Sequence, residues 1–172
     1  MAEEKVKKNF KELVEMSVSG LTIDPFTSMP IVILKDKDQK YSLPIWIGLI
    51  EASAIATELE KIKLSRPMTH DLIKNMLEQV SITVDRVVVD ELSDNTFYAK
   101  VFLKQNGKEW MLDSRPSDAI ALSLRTKASI FVEKEVINKS KKIDLSKEPQ
   151  QKQSWTDILD NLSPEDFGKY KM

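Results

Sequence analysis

Cysteine is absent from the 172 residues, which excludes disulfides, cysteine nucleophiles and thiolate zinc sites. Histidine is almost absent. His70 is the only one, so chemistry that needs two imidazoles in one chain is closed. A bound metal would have to rely mainly on Asp and Glu oxygens, which favours magnesium, manganese or calcium over zinc. Mg²⁺ or Mn²⁺ is therefore the expected ion, and no organic cofactor is expected. Long apolar runs are missing, and the charged start "MAEEKVKKNF" has no signal-peptide pattern, so no membrane span and a cytoplasmic location are expected. A basic excess is missing too: 26 Lys and Arg stand against 27 Asp and Glu. Contact with nucleic acid would need a local basic patch rather than a global field. What is present is 41% apolar residues with both charge signs interspersed, the composition of an ordinary globular domain.

Alternation and β-branching predict strands over 14–24, 31–36 and 41–47, the last an edge or bulged strand because of Pro44. Helical spacing of Ala52, Ile55, Ala56, Leu59 and Ile62 predicts a helix over 48–62. A second helix is expected over 69–80, capped by Thr69 and burying Leu72, Ile73, Met76, Leu77 and Val80. "SITVDRVVVDEL", "NTFYAKVFLKQ" and "KEWMLDS" read as strands, the last two joined by an Asn-Gly hairpin turn. Asp90, Glu91, Asp94 and Asn95 read as turn residues between the first two. "SRPSDAIALSLRTKA" is a third helix, 129–134 a strand and 135–143 a short basic helix. "VILKDKDQKYSLPIWIGLIEASAIATEL" resembles "KVFLKQNGKEWMLDSRPSDAIALSL", both strand, turn, strand, helix. The expected fold is α+β: helices packed on a mixed or antiparallel sheet, built on a duplicated strand-strand-helix unit. One domain is expected over 1–145, followed by a linker and short amphipathic tail over 146–172 around Trp155.

"DSRPSD" (113–118) puts three charged residues and two serines at the mouth of the third helix. Pro116 suits the first helical position and makes Arg115 the cap. Asp118 then sits where a carboxylate reaches back to the cap N–H, and Ser114 and Ser117 can take other free N–H groups. The same geometry can also serve chemistry. A helix N-terminus offers N–H groups to a phosphate, Arg115 can fork onto it, and Asp113 and Asp118 can hold a metal or orient a water.

"RPMTHDL" (66–72) is a second Arg-Pro helix start. Here Arg66 can bind phosphate and His70 can move a proton, imidazole being the side chain that ordinarily titrates near neutrality. Glu51, in the first turn of the first helix, joins the site if the repeat brings the two helix starts together. Lys134, Lys139, Lys141, Lys142 and Lys147 form the only local basic stretch and read as a solvated surface.

"DPFTSMPIVILKD", "LPIWIGLIEASAIA", "RPMTHDL", "DNTFYA" and "DSRPSDAIALSLRTKASIFV", in this order, closely resemble the bifunctional nuclease family over about residues 12–140. The resemblance implies an α+β fold and nuclease activity on DNA and RNA. Plant relatives carry a further C-terminal UVR motif, whose pattern is not visible in the 146–172 tail. On this reading His70, Asp113 and Asp118 are catalytic, and Arg66, Arg115, Ser114 and Ser117 bind substrate. Asp113, Asp118 and Glu51 would hold the ion. The alternative is a non-catalytic, homo-oligomeric interaction module whose polar motifs are caps and ion pairs. A homo-oligomer, by base rate a dimer, is expected either way.

Overall fold

The computed structural model describes residues 10–140. The chain runs β1 (Leu13–Ile23), β2 (Pro30–Asp36), β3 (Ser42–Trp46), α1 (Leu49–Leu59), α2 (Thr69–Gln79), β4 (Thr83–Ser93), β5 (Thr96–Gln105), β6 (Lys108–Ser114), α3 (Pro116–Thr126), β7 (Ser129–Glu133) and α4 (Lys134–Ser140). The α+β expectation holds. Among the described residues, seven strands form one mixed sheet in the order β3-β2-β1-β7-β4-β5-β6. Every neighbouring pair is antiparallel except β4–β7. The order reads the same outward from β7 in both directions, and each run of three strands leads into a helix, α1 or α3. The two strand-strand-helix segments thus occupy opposite ends of the sheet, while α1 and α3 pack on each other.

Strand alternation decides which side chains meet the helices. Val32, Leu34, Leu43, Ile45, Val87, Val89, Val101 and Val132 share one sheet face and form the core with Ile55 of α1 and Ile120 of α3. Alanines 52, 56, 119 and 121 are buried among them and let the helices approach closely. Each large aliphatic residue fully buried there contributes roughly 1.5–3 kcal/mol. Two tight hairpin turns set the register on one side. Asp94–Asn95 (φ 48° and 58°) and Asn106–Gly107 (φ 49° and 74°) both take the left-handed conformations that two-residue turns require. Pro44 lies in β3, an edge strand, as expected.

Three expectations change. Asp90 and Glu91 lie inside β4 at a bulge, and Asp90 is buried, so neither is a turn residue. The cap of α2 is Met68, not Thr69; its N–H donates to Asp71 Oδ2 at 2.9 Å. Of the apolar face expected to be buried on α2, only Leu77 packs on the core; Leu72, Ile73, Met76 and Val80 are exposed. The reason is that α2 docks on α3 by its polar edge, described below, which turns its apolar arc outward. The tail around Trp155 lies outside the described residues.

Candidate functional site

The loop from β3 and the strand β6 both run straight into helix starts, so α1 and α3 present their N-termini side by side. Gly48 caps α1, and the Glu51 carboxylate folds back over it; a Cβ at residue 48 would collide with that carboxylate. Arg115 caps α3 in extended backbone (φ −68°, ψ 144°), with Pro116 at the first helical position as the sequence predicts. Arg115 joins the two helix starts. Its Nη1 donates to Glu51 Oε1 at 2.6 Å, and its Nε donates to Asp118 Oδ2 at 2.8 Å. Asp118 therefore takes the cap's guanidinium, not the cap's backbone N–H. Ser114 Oγ donates to Arg115 O at 3.0 Å instead of serving a free N–H, and Ser117 is buried.

The α2 start closes the constellation. His70 Nε2 lies 3.0 Å from Asp118 Oδ1, although 48 residues separate them in sequence. Burial alone would raise the Asp118 pKa, but hydrogen bonds from Arg115 and His70 outweigh it, so its carboxyl stays below the ordinary value of 3.8. With Asp118 ionised, its Oδ1 accepts from His70 Nε2. One residue on, Asp71 Oδ1 accepts from Arg125 Nε at 2.6 Å. Arg125 Nη1 also donates to the carbonyls of Ala54 and Ala121, each at 3.0 Å. Asp118 and Arg125 are seven residues apart, two turns on one face of α3, so consecutive His70 and Asp71 span that face like a clip. Arg125 was not singled out by its sequence; the available signal was an arginine inside the apolar run "AIALSLRTKA".

A cleft of about 510 Å³ opens over this group, walled by Glu51, His70, Ser114, Arg115, Asp118 and apolar residues including Ile50, Leu64, Met68 and Ile73. A second cleft of about 590 Å³ lies on the other side of the Glu51–Arg115 pair and reaches Ser117, Trp46 and the Asn95–Phe97 segment. Arg115 is thus the partition between two openings, and its side chain is 64% exposed.

Two predicted residues do not join. Asp113 pairs with Lys100 across β5–β6, on the sheet face opposite the helices, and its side chain is 74% exposed. Ser114, its neighbour, points to the helix side because successive strand residues alternate. Arg66 is exposed and lines neither cleft. Of the basic stretch, Lys134 pairs with Glu12 and Lys139 with Glu135; the remaining lysines lie outside the described residues. The expected metal ligands do not converge either. Among the described residues no group of three or more His, Asp or Glu side chains is placed to hold an ion. Glu51 and Asp118 are instead the two partners of one arginine. No helix among the described residues is long and apolar enough to cross a membrane.

An α+β domain with a His–Asp pair and an exposed arginine at three converging helix starts is the class that this fold and site define. A family model described as the bifunctional nuclease domain matches residues 32–144. The uncharacterized protein Rv1829 of Mycobacterium tuberculosis is 32% identical over 89% of this chain and 97% of its own length. Bifunctional nuclease 1 of Oryza sativa subsp. japonica is 28% identical over 61% of this chain and 33% of its own length. Bifunctional nuclease 1 of Arabidopsis thaliana is 26% identical, covering 70% and 38%. The chain belongs to the bifunctional nuclease domain family.

Proposed function

We propose that this chain is a nuclease that hydrolyses phosphodiester bonds of DNA and RNA in the His70 cleft, in the cytoplasm. The observation that carries the proposal is the 3.0 Å contact between His70 and Asp118 beside an exposed arginine. Asp118 would hold His70 in one tautomer, leaving Nδ1 to take a proton from an attacking water. Arg115 would leave Glu51 and fork onto the phosphate, helped by the free N–H groups at the α1 and α3 starts. Ser114 would accept or donate at the phosphate from the wall of the His70 cleft, and Ser117 would act from the neighbouring cleft. Asp113, on the far sheet face, is not given a part in this step, and Arg66 is kept for guiding the strand. The carboxylates do not fit a protein-held Mg²⁺ or Mn²⁺ while Arg115 occupies them. An ion arriving with substrate phosphates is therefore an arm of the test.

The experiment is cleavage of single-stranded DNA and RNA by purified protein in magnesium, in manganese and in chelator, beside folded Asp118→Asn. Cleavage by the wild type that falls at least about 100-fold in the variant supports the proposal. Equal traces in both proteins would mean a contaminating nuclease and sink it. A non-catalytic module is the second reading. It is favoured by the saturation of Glu51 and Asp118 by Arg115, which makes a self-contained ion-pair network.

A further inference from the structure

The most unusual surface is the outward arc of α2. Leu72, Ile73, Met76 and Val80 project from it within roughly 100° of the helix circumference, and Met76 is 60% exposed. Asn75 and Gln79 border the arc, so it carries no charge on its outer side. The apolar surface continues to Leu64 and Met68 of the preceding loop. Leu112 on β6, the cross-strand partner of cleft residue Val101, is exposed on the same face of the sheet. Together these side chains leave on the order of 700 Å² of apolar surface in water, more than the patch of a typical monomer and close to what one partner of a standard interface gives up.

The two sheet edges are guarded differently. The edge strand β3 has five residues and contains Pro44, whereas edge strand β6 has seven, no proline and no bulge in its pairing with β5. Prolines, bulges, short strands and charged side chains all guard such edges, and β6 relies on Lys108, Glu109 and Asp113.

We infer that the α2 arc docks on the same arc of a second copy of this chain, about a two-fold axis near Met76. The chemistry selects this occupant. The helix arc itself has no lysine or arginine to hold a phosphate or a lipid headgroup; the exposed Lys63 and Arg66 lie in the preceding loop, at the margin of the patch. A Leu/Ile/Met-rich helix face of this size is what permanent self-association buries, and the helix arc itself carries no charge to repel an identical arc. Because Leu64, Met68 and Ile73 also line the His70 cleft, the second copy raises the outer wall of that cleft and leaves entry past Arg115.

Assembly is read by mass, independently of any activity. Sedimentation velocity of the full chain should give twice 19.7 kDa across micromolar concentrations. Met76→Glu should halve the mass with an unchanged far-UV spectrum, whereas Phe26→Glu, at another exposed apolar residue, should leave it dimeric. Since the chain has no cysteine, Met76→Cys provides a second test that does not depend on Met76→Glu folding. With diamide it should give a disulfide-linked dimer, and Phe26→Cys should not. A monomeric wild type, a dimeric Met76→Glu protein or an uncrosslinked Met76→Cys protein would each overturn the inference.

Discussion

Arg125–Asp71 and Arg115–Asp118 are the same pair of residue types placed near opposite ends of α3, and they do different work. The Arg125 side chain is 3% exposed and commits Nε and Nη1 to a carboxylate and two carbonyls, so it is held in place at the floor of the His70 cleft. It fixes α2 against α1 and α3. Arg115 is largely in water, with partners that solvent and a phosphate can replace. Exposure, not composition, separates the pin from the hand: a buried pair is costly to break and poor at recognition, an exposed one the reverse.

Breaking the pin should have the largest effect on the fold. Arg125→Met leaves Asp71 without its guanidinium partner and strips the side-chain donor that ties the Ala54 and Ala121 carbonyls together, and the expected loss is about 3 kcal/mol, near the low end for a broken buried pair because Asp71 is partly hydrated. Urea unfolding would show it as a lower midpoint; an unchanged midpoint would mean that α2 is held by something else. Arg115→Gln, in the same assay, should cost under about 1 kcal/mol. Its cleavage rate should nevertheless fall about 100-fold if Arg115 is the phosphate clamp. Loss of stability without loss of rate would reverse the two roles.

The smallest effect is on acid stability. Burial raises both Asp71 and Asp118, but hydrogen bonds outweigh it: for Asp71 from the Met68 N–H and Arg125, for Asp118 from Arg115 and His70. Both therefore stay below 3.8 in the folded chain. Groups depressed by folding stabilise above their unfolded pKa, and that stability is lost as pH falls through the folded pKa. Asp71→Asn and Asp118→Asn should each flatten the decline of the unfolding midpoint below about pH 4. A decline as steep as the wild type's would show that these carboxylates are not depressed.

Much of this was legible before any coordinates. Pro116 placed Arg115 at the cap of α3, the Asn-Gly pair fixed a hairpin, and the repeated strand-strand-helix pattern anticipated that Glu51 and the α3 start would meet. Three features were not. The period-2 alternation of "KEWMLDS" separates Asp113 from Ser114, but both faces of that segment carry apolar residues, so sequence alone could not say which one meets the helices. The 3.6-residue period of α2 revealed an apolar arc but not its partner; a polar clip to α3 left the arc outside. Arg125 sits in a run that reads as core, and only the convergence of Asp71, Ala54 and Ala121 explains an arginine there.

The most direct test of the site is the rate of cleavage of a single-stranded oligonucleotide by wild type and His70→Ala at equal concentrations of folded protein. A drop of about 100-fold or more, with the unfolding midpoint changed by little, is the predicted result. Equal rates would contradict it and leave His70 and Asp118 as a clip between helices.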